Sequence, residues 1–447
     1  MSITPQIWAW LAIGFAWLWV AIWQWKLALK AMEMMGKNPR MNTFFLTVTI
    51  LWLALVESSA IYWLIVAFQI LSKDAIDWLQ AIWIWLAVWL AWLWVWIWEW
   101  ELVWASIDAM NNNPDNKNRI MTYMILFLAL VESAAIYGLV ISFQMLWKES
   151  LDWLQAIWTW LAVWVAWLWV WVWEWLLAKK SMENIGKNFK MANYFLTVTI
   201  LWIALTESAA IYGLIVAFQI LGKETLDWMV ALWVWASVWF AWLWVWIWEW
   251  LLVGSAIEAM SNDSKNKNKI MVFMILFLAL VESAAIYGLV ISFQMLGSAE
   301  LVWLQAVWAW LAVWLAWLWV WVWEWILAQR SLYYIWKNFN MSNFFLTVTI
   351  LWIALTESAA IYGLVVAFSI LGWESVSWIV ALWAWLAIGL AWLGAWVWEG
   401  FLVWGAFDAM NRNPANKNKT LVFMVLFLAL VEVIAIYGLI IAFNVLG

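Results

Sequence analysis

Six glutamates recur in this chain at a single spacing. Glu57, Glu132, Glu207, Glu282, Glu357 and Glu432 stand 75 residues apart, each inside an apolar run reading Glu-Ser-x-Ala-Ile-Tyr or a near variant. A serine follows directly at Ser58, Ser133, Ser208, Ser283 and Ser358, with Val433 in the sixth copy. A tyrosine follows five residues on, at Tyr62, Tyr137, Tyr212, Tyr287, Tyr362 and Tyr437. A second polar series keeps the same period: Gln24, Glu99, Glu174, Glu249, Glu324 and Glu399. Paired carboxylates with hydroxyls close by form a small cage of oxygens, the ligand type that Na⁺ needs, and a carboxyl group carries H⁺ equally well. Two carboxylates at such range do not both stay ionised without a cation between them. Cys and His are absent, which excludes thiolate chemistry and the usual zinc or haem ligation. Neither a phosphate-binding Gly-x-x-x-x-Gly-Lys nor an activated nucleophile is present, so the chain is expected to be no enzyme and to hold no organic cofactor.

The elements that position these residues are apolar helices. The chain is 69% hydrophobic and 11% charged, with a mean hydropathy of +0.91; ordinary soluble domains carry about 25% charged residues. Each repeat holds two apolar stretches, and a bilayer core needs about 20 apolar residues per helix. A polar loop joins the two (Gly36–Asn42, Asn111–Asn118), and a shorter acidic turn leads to the next repeat (Ser72–Asp77, Lys148–Asp152). The expected fold is an all-α membrane protein of twelve transmembrane helices, as six two-helix hairpins over residues 1–74, 75–149, 150–224, 225–299, 300–374 and 375–447. The first apolar stretch reads as a mature helix and not as a removed signal peptide. An even number of helices per repeat makes all copies parallel, which disfavours an inverted-repeat transporter. Of the 21 Lys and Arg, 18 lie at or near the longer loops; the positive-inside rule then puts those loops in the cytoplasm and both termini outside.

Depth follows from the loop position. The midpoint of Glu99 and Glu132 falls between Asp115 and Asn116, at the Pro114–Asp115 loop tip, so folding the hairpin there levels the two side chains roughly 20–25 Å below the loop. A carboxylate at mid-membrane costs about 2.5–3.5 kcal/mol on insertion scales. Six survivals of that cost at one register point to a travelling ion that cancels the charge.

With these residues in view, each hairpin resembles the c-subunit of the rotary ATP synthases, the proteolipid that forms the membrane rotor ring. The resemblance rests on the Asn-Pro loops (Asn38-Pro39, Asn113-Pro114, Arg412-Asn413-Pro414) and on the Glu-Ser-…-Ile-Tyr-Gly-Leu segment. It implies hairpins arranged in a ring or arc, in a bacterial plasma membrane. Sodium-driven members use a Gln or Glu on the inner helix, the outer-helix Glu, the next Ser and the Tyr five on. Those roles fall on Glu99, Glu132, Ser133 and Tyr137 and their equivalents, with each site completed across two hairpins. The implied partners are further copies of the chain, the stator a-subunit with its basic residue, central-stalk subunits at the cytoplasmic loops, and lipid, with no nucleic acid. Six hairpins are few for such a ring, so two chains are expected to close one. Repeats three to five lack the loop proline, which puts their stalk contact in question.

The tryptophans depart from the resemblance. The chain has 57 Trp and 17 Gly, and the two interchange at equivalent positions. Gly389, Gly394 and Gly400 stand where the second repeat has Trp89, Trp94 and Trp100; Gly138 answers Trp63, Gly254 answers Trp104, and Gly36 answers Trp336. An indole buries roughly 150–250 Å² while glycine offers no side chain. Some bacteria read UGA as Gly, and translation of such a gene with UGA as Trp produces this pattern. If the tryptophans are literal, the inner helices are expected to be pushed apart. Other readings are a stand-alone channel or transporter, which needs polar residues along a continuous path, and an artificial Trp-filled scaffold, against which the irregular drift among repeats speaks.

Overall fold

A computed structural model describes residues 21–73 (except 23), 78–148, 151–223, 227–298, 301, 303–372 and 377–446. The described residues are helical with tight connections. The first helical stretch, α1, covers residues 24–37. It is followed by α2 (Asn42–Leu71), α3 (Trp78–Asn112), α4 (Lys117–Trp147), α5 (Trp153–Lys187), α6 (Ala192–Gly222), α7 (Trp228–Asn262), α8 (Lys267–Gly297), α9 (Trp303–Lys337), α10 (Ser342–Gly372), α11 (Trp378–Arg412) and α12 (Lys417–Leu446). From α3 on, the odd helices have 35 residues and the even ones 30 or 31. At 1.5 Å per residue these reach about 45–52 Å, longer than the roughly 30 Å hydrocarbon layer.

The loops explain where the first helix of each pair stops. Asn38, Asn113, Asn188, Asn338 and Asn413 leave helical geometry at φ between −132° and −141°, and a single 3-10 turn follows each. Three of these turns open on Pro39, Pro114 and Pro414, whose fixed φ and missing N–H suit the first position of a helical turn. Phe189 and Phe339 fill the same place without proline, so the turn does not depend on it. At the opposite end, Gln80 donates to the Met145 carbonyl (2.8 Å) and Gln155 to that of Ile220 (2.6 Å). These bonds satisfy carbonyls that the end of the second helix leaves open.

The chain forms two compact units, Met1–Thr225 and Leu226–Gly447. In the first, α3 packs along α4 and α5, and α5 along α6; α4 and α6 touch less. In the second, α7, α9 and α11 pack in succession, each against its own partner α8, α10 or α12. The odd helices therefore make the tighter layer of each unit. Their indoles interleave without separating them: Trp83 meets Trp160 at 5.2 Å between ring centroids, Trp233 meets Trp310 at 4.9 Å, and Trp308 meets Trp385 at 5.5 Å. Along one helix, pairs four residues apart stack, as at Trp160–Trp164 and Trp310–Trp314. The expected spreading of inner helices is thus not seen among the described residues.

Among the described residues, three helices, Phe189–Gly222, Phe339–Gly372 and Pro414–Leu446, are long and apolar enough to cross a membrane by length and composition. The apolar stretches of the sequence predict twelve. Tryptophan, with its polar N–H, ranks below the aliphatic residues in hydropathy, which works against the Trp-rich odd helices.

Candidate ion-binding site

The inner carboxyl groups lie deep in the protein. Glu99, Glu174, Glu249, Glu324 and Glu399 on α3, α5, α7, α9 and α11 are all buried, Glu174 and Glu324 completely. Gln24 on α1 is half-buried. Of the outer glutamates, Glu207, Glu357 and Glu432 are half-buried on α6, α10 and α12. The side chains of Glu57, Glu132 and Glu282, and of Ser58, Ser133, Ser208, Ser283 and Ser358, lie outside the described ones. Tyr62, Tyr137, Tyr212, Tyr287 and Tyr362 are half-buried, while Tyr437 on the last helix is exposed.

Inner and outer carboxyl groups of one hairpin act on each other electrostatically: Glu174 with Glu207, Glu324 with Glu357, and Glu399 with Glu432. Two of the tyrosines feel the charge of a glutamate in the next hairpin. Tyr137 of α4 interacts with Glu207 of α6, and Tyr287 of α8 with Glu357 of α10. In both cases the tyrosine feels the charge of the glutamate 70 residues ahead, in the next hairpin.

Two residues outside the repeated motif enter the site. Thr206 donates its hydroxyl to Glu174 Oε1 at 3.0 Å, and Thr356 donates to Glu324 Oε1 at 2.7 Å. The second oxygen of each carboxyl, Oε2 of Glu174 and of Glu324, is sealed from solvent with no hydrogen-bond partner among the described residues; so is Glu399 Oε1. Buried polar atoms in native proteins are nearly always hydrogen-bonded. An open carboxyl oxygen beside a second carboxyl suits a cation or a shared proton. The signal was present in the sequence: Leu-Thr-Glu-Ser at 205–208 and 355–358 replaces the Leu-Val-Glu of the other copies. Among the described residues, no three or more of the acidic side chains converge as a metal centre.

Towards the longer loops, ion pairs tie neighbouring hairpins. Lys30 meets Asp108 at 3.1 Å, Lys179 meets Glu101 at 2.6 Å, and Arg330 meets Asp408 at 3.1 Å. The last pair is elaborated: Tyr334 also donates to Asp408, and the guanidinium lies 3.9 Å from the centroid of Trp404. Asp408 sits in the last two turns of α11, past the apolar run. Burial alone pushes its carboxyl up, but the bonds from Tyr334 and Arg330 and the charges of Arg330 and Arg412 outweigh it and hold the carboxyl below its ordinary value.

The sequence that carries these buried acids has matches among known proteins. The ATP synthase C-subunit family matches residues 7–70, 82–145, 238–295 and 382–445, more than half of the chain. The chain is 43% identical over 58 residues to the ATP synthase c-subunit of Chloroflexus aurantiacus, covering 13% of this chain and 76% of that one. It is 35% identical over 72 residues to the ATP synthase c-subunit of Carboxydothermus hydrogenoformans, covering 16% and 88%. Each relative thus corresponds to one hairpin, and the match recurs along this chain. The protein belongs to the ATP synthase C-subunit family, as a tandem fusion of its hairpin unit.

Proposed function

We propose that the chain carries Na⁺ on its mid-membrane glutamates as part of the rotor ring of a rotary ATP synthase. Family membership makes it a non-catalytic, ion-translocating component of that ring; the ion and its carriers are our own reading. The observation that carries it is the buried inner carboxyl with an open oxygen and a second carboxyl acting on it. The outer series Glu57, Glu132, Glu207, Glu282, Glu357 and Glu432 binds the ion with the inner series Gln24, Glu99, Glu174, Glu249, Glu324 and Glu399. The serines after the outer glutamates and the tyrosines of the preceding hairpin complete the cage. Facing lipid, a bare carboxylate is too costly and the ion neutralises it; opposite a basic stator group the ion leaves. Each charge that crosses yields about 2.3 kcal/mol per 100 mV. Ser, Tyr and the paired carboxyls favour Na⁺ over H⁺. Carbodiimide labelling of the outer glutamates tests this: sodium at neutral pH slows it, and full labelling at saturating sodium makes the chain a proton rotor.

On this reading, six hairpins with the boundaries given above supply twelve spans, with the longer loops in the cytoplasm against the central stalk. Two chains close one ring. Many of the tryptophans are glycine in the native host, and position within the repeat says which. Trp63 answers to Gly138, Gly213, Gly288, Gly363 and Gly438 and belongs to that class. Trp52, Trp202 and Trp352 answer to Phe127, Phe277 and Phe427 and are completely buried; an aromatic side chain occupies that place in all six copies, so these three are literal. Peptide mass mapping of protein from the native host should return Gly at 63 and Trp at 52, 202 and 352. A mass for the whole chain equal to that of the written sequence overturns the recoding.

A further inference from the structure

The six sites are not built alike. In hairpins three and five the residue before the outer glutamate is Thr206 or Thr356, whereas Val56, Val131, Val281 and Val431 stand there in the others. Thr and Val have nearly the same shape, so packing does not distinguish them; the hydroxyl does. Both threonines are completely buried. Thr206 Oγ1 lies 3.0 Å from Glu174 Oε1 and 2.9 Å from the Ile203 carbonyl, one turn back on its own helix. Thr356 repeats the arrangement, 2.7 Å from Glu324 Oε1 and 2.8 Å from the Ile353 carbonyl. A hydroxyl has one hydrogen to give and lone pairs to receive. Toward an ionised inner glutamate it donates. Toward a protonated one it accepts, and its own hydrogen turns to the Ile203 or Ile353 carbonyl. The carboxyl keeps a partner in both states, always through Oε1, so its other oxygen stays turned to the ion.

We infer that Thr206 and Thr356 are positioning residues for the inner glutamates, so that one chain carries two classes of ion site: with a threonine hydroxyl on the inner carboxyl in hairpins three and five, and with valine at that place in the rest. This rests on the reading of the glutamates as ion carriers. The threonine-bearing sites hold their ion more tightly, because the inner carboxyl is fixed before the ion arrives.

The test uses the full chain in liposomes, labelled with dicyclohexylcarbodiimide over a range of sodium concentrations, with labelling read at each glutamate by peptide mass spectrometry. The peptides around Glu207 and Glu357 differ from each other and from those around Glu132 and Glu282, which serve as valine-bearing controls. Thr206→Val should raise the sodium concentration for half-protection of Glu207 by about tenfold, the scale of one hydrogen bond to a charged group, and leave Glu357 unmoved. Thr206→Ser, which keeps the hydroxyl and loses the methyl group, should return protection to the wild-type value. The inference is overturned if Thr206→Val moves Glu207 by less than about twofold on that same scale, if all sites shift together, or if serine behaves like valine. Should wild-type Glu207 gain no protection from sodium, the ion-carrier reading fails as well; protection that is intact yet indifferent to Thr206 overturns this inference alone.

Discussion

Arg330→Met probes what holds neighbouring hairpins together at the loop end of the second unit. Methionine keeps an apolar stem of similar reach and removes the charge. Lost are an ion pair of 3.1 Å, in which the two side chains are only 29% and 26% exposed, and a guanidinium 3.9 Å from the centroid of Trp404. A hydrogen bond to a charged group contributes about 1.5–3 kcal/mol, and a partly desolvated cation–π contact about 0.5–2 kcal/mol. Freed from desolvating the guanidinium, the variant recovers part of this, leaving a cost of about 2–3 kcal/mol. Local opening is the quantity to read, because unfolding of membrane proteins is seldom reversible. Hydrogen exchange of peptides spanning 326–341 and 403–416 should therefore accelerate roughly 30- to 150-fold, at a factor of ten per 1.4 kcal/mol. Adding Asp408→Asn should cost less than the two single changes summed, since the first leaves a half-buried carboxylate without its guanidinium partner, supported only by Tyr334 and the charge of Arg412. The pH dependence has a definite sign. Asp408 has a folded-state value below its ordinary one, so its stabilisation is complete above about pH 4 and fades as pH falls through the depressed value. The wild type and Arg330→Met should converge over that range. Exchange within threefold of wild type, or strict additivity of the two substitutions, refutes the reasoning.

Three further outcomes follow from the same geometry. A Cβ at Gly438 would lie 2.4 Å from the Ala391 Cβ and 2.6 Å from the Ala387 carbonyl oxygen, so Gly438→Ala should destabilise the last hairpin by about 1–3 kcal/mol, whereas Gly297→Ala, with open space around it, should not; thermal loss of helical circular dichroism in detergent separates them. Glu33 is held below its ordinary value by its bond from Lys37, but both groups are fully exposed, so Glu33→Gln should leave exchange of residues 31–38 unchanged. Where hairpins two and three pair Glu101 with Lys179, the equivalent residues at the chain's two ends are Phe401 and Leu29, 57% and 51% exposed. If chains close a ring end to end, Phe401→Glu should shift native mass spectra from closed rings to single chains, and adding Leu29→Lys should restore the rings.

Much of the fold was legible because insertion into lipid leaves few choices. Backbone groups must be satisfied within the helix, so long apolar runs could only be helices, and the Asn-centred loops marked where each pair reverses. The pairing of inner and outer acids within a hairpin followed from the loop midpoint. Thr206 and Thr356 were harder to see. In a lipid-spanning run, one β-branched residue in place of another reads as filler until a carboxyl is found opposite its hydroxyl. The indoles misled more, since their bulk argued for separated helices, whereas rings of neighbouring inner helices meet tilted, with centroids 4.9–5.5 Å apart.

What a repeat cannot state is which residues face each other. Equivalent side chains of neighbouring hairpins point in like directions, so most side-chain contacts between hairpins join residues offset from strict equivalence. Among the ion pairs of the inner helices the offset runs forward, with Lys30 to Asp108, Glu101 to Lys179 and Arg330 to Asp408 each 78 residues apart, while Tyr334 reaches Asp408 at 74. On the outer helices it runs back: Tyr137 acts on Glu207 and Tyr287 on Glu357, each 70 apart. Both offsets fit the 75-residue period equally well, and their signs depend on how each helix is rotated about its axis. The consequence for the site is direct. On the proposed ion-carrier reading, a glutamate takes its tyrosine hydroxyl from the hairpin before it, and the first hairpin of each chain would take that hydroxyl from a neighbouring hairpin of the ring.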